Sequence, residues 1–81
     1  MNGPAVAVSP VAPARGLTLT SREMEVLQLV AAGNSNKRIA RALAIGGETA
    51  KTHLRNILKK LGARDRTHAV TLGLRRGIIQ L

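Results

Sequence analysis

SNKRIARALAIGGETAKTHLRNILKKLG, residues 35–62, is the stretch that decides how this chain folds. Ser35 can cap a short helix whose inner face carries Ile39, Ala40 and Leu43. Ala44, Ile45 and Gly46 then make a three-residue break. A longer helix follows from about Gly47 to Leu61, with Ala50, Leu54, Ile57, Leu58 and Leu61 at i, i+4, i+7, i+8 and i+11, and Gly62 stops it. A short helix, a tight turn and a longer helix make a helix-turn-helix, in which the second helix can enter a major groove.

The outer face of that second helix is polar and basic. With Leu54 at the centre of the buried stripe, 100° per residue puts Thr52, Arg55, Asn56 and Lys59 opposite, with Lys51 at the flank. Lys and Arg can pair with guanine O6 and N7, and Thr can touch a base edge or a thymine methyl. Lys37 and Arg38 lie on the first turn of the short helix, where free N–H groups and the helix dipole favour phosphate. His53 reads as an edge-of-core histidine or as a phosphate contact. His68 is expected on the solvent side of the last helix, without a role.

Two more helices flank the motif. Thr20 with Glu23 three residues on forms a capping box, and Leu19 with Met24 a hydrophobic staple, opening a helix on Met24, Leu27, Val30 and Ala31. Gly33 is its expected left-handed end. Asp65 can cap a fourth helix, about Arg66 to Arg76, with Ala69, Val70, Gly73 and Leu74 inward. Gly73 inside a helix costs about 1 kcal/mol relative to Ala, so close packing is its expected use. Thr71 and Leu74 are then expected to face a second protomer, in a dimer that is weak without DNA because one short helix offers little area. The fold class is all-α, four helices over residues 17–81.

Residues 1–16 contrast with the rest. They hold all three prolines, several alanines and one charge, Arg15, and read as a flexible linker or tail. A secretory signal is not expected, since no basic residue precedes the apolar part and Pro10 and Pro13 interrupt it.

Charge points to a partner. The 81 residues carry 13 Lys+Arg against 4 Asp+Glu, a net +9. Residues 37–66 hold nine bases against Glu48 and Asp65, so +7 falls in one stretch. That favours a polyanion. The chain has no Phe, Tyr or Trp on which single-stranded bases could stack, so duplex DNA is the better partner.

Other classes fare worse. With no cysteine there is neither a disulfide framework nor a Cys-ligated metal site, and His53 and His68 are not at metal spacing on one helix. No nucleophile–base pair or phosphate loop is visible, so an enzyme is not expected, nor any cofactor. Leu54–Leu61 could pass for a basic amphipathic membrane helix, but it lacks aromatic anchors and the domain core needs its apolar face. No apolar run reaches the roughly 20 residues of a membrane span, and a cytoplasmic location is expected.

Taken together, the run from Leu17 resembles the DNA-binding domain of the LuxR/NarL/FixJ family of bacterial transcription regulators. The matching pieces are Leu17-Thr18 with Arg22-Glu23, then Gly33-x-Ser35-Asn36-Lys37-x-Ile39-Ala40. Thr49-x-Lys51-x-His53, Asn56-Ile57, Lys60-Leu61 and Arg66-Thr67-x-Ala69-Val70 follow in order, so the likeness covers about residues 17–79. The resemblance implies four helices with the third reading the major groove, and a dimer joined mainly through the fourth. By position, Lys51, Thr52 and Arg55 match base-facing residues, and Lys37, Thr49, His53 and Lys59 match residues facing or flanking phosphates. It implies an inverted-repeat operator and raises RNA polymerase as a further partner, with no residue of this chain assigned to that contact. In the response-regulator branch an N-terminal receiver domain controls this domain. The Pro/Ala-rich start suits an interdomain linker, so a fragment of a longer regulator is preferred over a stand-alone one.

The chain departs from the family pattern at three places. Gly46 stands where Ser or Thr usually caps the recognition helix, at a cost of a few tenths of a kcal/mol. Ala50 replaces the usual Val, a loss of about 1–2 kcal/mol if nothing fills the space. Glu48, near the DNA-facing surface, could accept from a cytosine amino group or repel a phosphate.

Overall fold

The computed structural model describes residues 18–81; the linker expected over residues 1–16 lies outside them. The element order is α1 (Ser21–Ala31), α2 (Asn36–Leu43), α3 (Gly47–Leu61) and α4 (Arg66–Arg75). Among the described residues there is no strand. The expected all-α fold is the one observed.

Three of the four helix starts are capped by the side chains expected. Thr20 Oγ1 accepts from Glu23 N at 3.0 Å, and Glu23 Oε1 accepts from Thr20 N at 2.9 Å, which closes the capping box. Ser35 caps α2 through Arg38 N, and Asp65 caps α4 through His68 N. Gly46 leaves α3 with no side-chain cap.

All four helices end alike. One residue past α2 and α3, and two residues past α1 and α4, the backbone turns left-handed, and the next N–H reaches back to a carbonyl five residues earlier: Asn34 to Leu29, Ile45 to Ala40, Ala63 to Leu58, Ile78 to Gly73. Three of those left-handed positions are glycines, at 33, 62 and 77. The fourth, Ala44, adopts φ 55° with a Cβ present and makes the turn between α2 and α3.

α3 is the central element and packs on each of the other three. Its Ala50, Leu54, Ile57 and Leu61 are buried as the spacing predicts, while Leu58 is half-buried. Ile39 and Ala40 of α2 and Ala69 and Gly73 of α4 join them. In α1 the buried stripe is Glu23, Val26, Leu27 and Val30. The apolar spacing put Met24 in that stripe, yet Met24 is 39% exposed. The reason is electrostatic. Glu23 takes the inward position on the first turn, because its carboxylate receives Thr20 N and the Lys60 ammonium, and the stripe rotates accordingly. Leu19 is buried, and Met24, its expected staple partner, lines an open surface groove with Glu25, Gln28, Leu29, Leu43 and Ile78.

The C-terminal residues add a layer that the spacing did not assign. Ile79 is buried, and Gln28 clasps the tail by donating to Gln80 O and accepting from Gln80 N. Gly73 is what admits Ile79. A Cβ there would lie 3.0 Å from Leu27 Cδ2 and 3.1 Å from Ile79 Cγ1. The close packing inferred for Gly73 is therefore within the core.

Candidate nucleic-acid interface

The candidate interface is built on α2 and α3. Ala44 and Gly46 frame a turn whose middle residue, Ile45, packs on the core, so the break is anchored in place. α3 is 15 residues, about 22 Å long at 1.5 Å per residue. Its inner stripe is fixed by the core, which determines what must face outward.

Lys51, Thr52, Arg55 and Lys59 are all exposed, as is Thr49 on the first turn. Asn56, which the wheel puts opposite Leu54, is half-buried. His53 is half-buried at the edge of the stripe. On α2, Lys37, Arg38 and Arg41 are exposed. Six cations, three from each helix of the motif, thus stand in solvent. Glu48 stands among them, its carboxylate 3.5 Å from Lys51 Nζ.

Three bases of the +7 stretch lie elsewhere: Arg64 is exposed in the loop before α4, and the other two are tied into the fold. Lys60 Nζ lies 2.7 Å from Glu23 Oε1, joining the end of α3 to the start of α1, with side chains only 25% and 5% exposed. Burial raises the Glu23 pKa, but the hydrogen bonds from Lys60 and Thr20 and the Lys60 charge outweigh it, and the net shift is downward. Arg66 donates to Asn36 Oδ1 at 2.9 Å and to Asn34 O at 2.8 Å. It braces the first turn of α2 from the start of α4. Sequence spacing missed both ties, because a Lys or Arg in a basic stretch looks like solvated surface. The one available signal was Glu23, an acid at a position the buried stripe needs.

The remaining expected positions lie on α4 and nearby. Thr71 is exposed, its hydroxyl donating to Thr67 O, on the rim of an open groove of about 290 Å³ between α1 and α4. Leu74, three residues on, is half-buried and packs partly against the core. His68 is half-buried, and its Nδ1 accepts from Arg64 N at 3.0 Å, so the ring closes the loop before α4. Among the described residues no group of His, Cys, Asp and Glu could hold a metal ion, and no helix is long and apolar enough to cross a membrane.

A family profile described as "Bacterial regulatory proteins, luxR family" matches residues 17–72, more than half of the chain. The chain belongs to the luxR family of bacterial regulatory proteins. Its four helices are the LuxR-type helix-turn-helix DNA-binding fold. Among curated relatives, the response regulator protein VraR of Staphylococcus aureus (strain Mu3 / ATCC 700698) is 52% identical over 62 residues. That match covers 76% of this chain and 30% of VraR, so the chain spans under a third of that relative's length. The solved structure of the transcription factor GerE superposes with a TM-score of 0.74 at 38% identity, covering 82% of this chain and 97% of GerE. The response regulator ChrA of a heme-sensing two-component system gives a TM-score of 0.76 at 40% identity, covering 84% of this chain and 33% of ChrA. Within the LuxR-family fold, α3 is the second helix of the motif.

Proposed function

We propose that this LuxR-family domain binds duplex DNA sequence-specifically, with α3 in the major groove, as the output domain of a bacterial transcriptional regulator of the two-component class. The observation that carries the reading is the outer face of α3. Lys51, Thr52, Arg55 and Lys59 are all exposed there, behind a short helix and a three-residue turn that the core anchors. A helix about 10–12 Å across fits a major groove about 12 Å wide. Lys51, Thr52 and Arg55 contact base edges. Lys37, Thr49, His53 and Lys59 contact phosphates, and Lys37 does so beside the free N–H groups of the α2 start. Two protomers occupy an inverted repeat, half-sites about one helical turn apart, and meet through α4 at Thr71 and Leu74. Leu74 gives part of its surface to its own core, in keeping with a dimer that is weak until DNA holds both copies. Residues 1–16 serve as the linker to a receiver domain. GerE, nearly all of which is matched, is the reason to keep a stand-alone regulator as the alternative.

The test is selection from a random duplex pool, followed by titration of variants on the enriched and on scrambled duplexes. Arg55→Ala should weaken the enriched site by about 1–3 kcal/mol and relax one base position. Lys37→Ala should weaken all sequences alike and reduce the salt slope by about one. Equal loss on enriched and scrambled duplex for Arg55→Ala refutes base reading by that residue. Failure to enrich any motif refutes the function.

A further inference from the structure

We propose that Glu48 and Lys51 act as one acid–base unit that reads a single G·C pair, an inference that rests on α3 lying in the major groove. Glu48 is the second residue of α3. Its side chain is 88% exposed, with Oε2 3.5 Å from the ammonium of Lys51, itself 56% exposed. Glu48 shares the outer face with the cations, since Glu48, Thr52, Arg55 and Lys59 follow at i, i+4, i+7 and i+11.

The N-terminal residues of a recognition helix are the ones that meet base edges. Gly46 and Gly47 precede Glu48 and carry no side chain, and a Cβ at Gly47 would touch nothing within 4 Å. The approach to this turn is therefore open, and a base edge can come close to the carboxylate.

An acid on a DNA-facing surface is unfavourable unless it finds a donor. Phosphates offer none. The major groove offers the amino groups of cytosine and adenine, whereas Lys51 needs acceptors. Cytosine N4 and guanine O6 are hydrogen-bonded to each other and so stand about 2.9 Å apart. A carboxylate and an ammonium 3.5 Å apart match that spacing, one over each atom. Guanine N7 lies beyond O6, so the edge reads donor, acceptor, acceptor, and the ammonium gains a second partner. An A·T edge reads acceptor, donor, acceptor, which flanks the carboxylate with oxygen and nitrogen lone pairs. The unit therefore selects G·C.

The experiment is site selection from a random duplex pool with the wild-type chain and with Glu48→Ala, Glu48→Gln and Lys51→Ala, each checked for native helicity by circular dichroism. The wild type should enrich one G·C position per half-site that Glu48→Ala and Lys51→Ala both lose. Replacing that pair by A·T should weaken wild-type binding about ten-fold and Glu48→Ala by less than about two-fold. Glu48→Gln should shift the same position toward A·T, since an amide can pair with adenine N6 and N7. If Glu48→Ala keeps the motif unchanged and tightens on every duplex equally, the carboxylate only repels phosphate and the inference is overturned. If the wild type enriches no motif, the major-groove placement falls and takes this inference with it.

Discussion

Replacing Gly46 with Ser should stabilise the domain, by an amount that follows from the local backbone. Gly46 caps α3 at φ −74° and ψ 158°, an extended conformation that any L-residue adopts. A Cβ there would meet only Thr49 Oγ1, at 3.9 Å, an ordinary contact. No steric term therefore opposes the change. Two effects favour it. Removing a glycine restricts the unfolded chain, and a hydroxyl can accept an N–H on the first turn of α3. Together they make Ser better than Gly at an N-cap by about 0.2–0.5 kcal/mol. For a domain of this size that raises Tm by about 1–4 °C, read by far-ultraviolet circular dichroism during heating. Gly46→Ala is the control. It restricts the unfolded chain equally but supplies no acceptor, and Ala is a much poorer cap than Gly. Gly46→Ala should therefore lose stability, and Ser should exceed Ala by about 1 kcal/mol. A Gly46→Ser protein no more stable than Gly46→Ala would refute the reasoning, because the α3 start would then not be short of an acceptor.

Four other substitutions probe the scaffold. Glu23→Ala removes a buried carboxylate that serves Thr20 N and Lys60 together, and should cost about 2–3 kcal/mol in urea unfolding, below the full buried-pair value because Lys60 keeps a quarter of its side chain in water. Since the folded Glu23 pKa is lowered, its stabilisation is fully present above the ordinary value of 4.5 and is lost as pH falls through the folded value; the stability gap between wild type and Lys60→Met should shrink as pH falls below 4.5, and a gap that does not change with pH would contradict this. Ala44→Gly should stabilise by about 0.5–1 kcal/mol, the left-handed penalty on Ala exceeding the extra freedom of Gly in the unfolded chain, and a lowered urea midpoint would count against it. Gly73→Val should destabilise by about 1–3 kcal/mol, because its branches press on Leu27 and Ile79; unchanged Tm would mean the α4–tail contact is loose.

Local signals carried most of the fold. Thr20 with Glu23, Ser35 and Asp65 are caps whose acceptors bond N–H groups three residues away, so nothing distant can overrule them. The inner stripe of α3 was legible for the same reason, since five apolar residues at helical spacing leave one buried face. What escaped was non-local. The phase of α1 depends on Lys60, 37 residues away from Glu23. The use of Gly73 depends on Ile79 returning past the end of α4, which a helix-by-helix reading ends at Arg76. The residues proposed to contact DNA belong to the legible part, since the exposure of Lys51, Thr52, Arg55 and Lys59 follows from the α3 core stripe.

The charge distribution changes meaning once these long-range ties are known. In sequence the nine bases of residues 37–66 form one block, and a block of charge attracts any polyanion. In the fold the block divides by task. Lys60 and Arg66 hold α3 to α1 and α4 to α2, which fixes the angle at which the motif is presented. Lys37, Arg38 and Arg41 stand exposed on α2, Lys51, Arg55 and Lys59 on α3, and the ninth base, Arg64, in the loop before α4. Cations used as fasteners contribute little to counterion release, because they are already paired. Removing one of them should therefore weaken DNA binding only through stability, whereas removing one of the six exposed on α2 and α3 should weaken it in a folded protein and in a salt-dependent way. Lys60→Met and Lys59→Met, neighbours in sequence, separate the two effects: the first should lower Tm and leave the salt slope intact, and the second should flatten the slope at unchanged Tm.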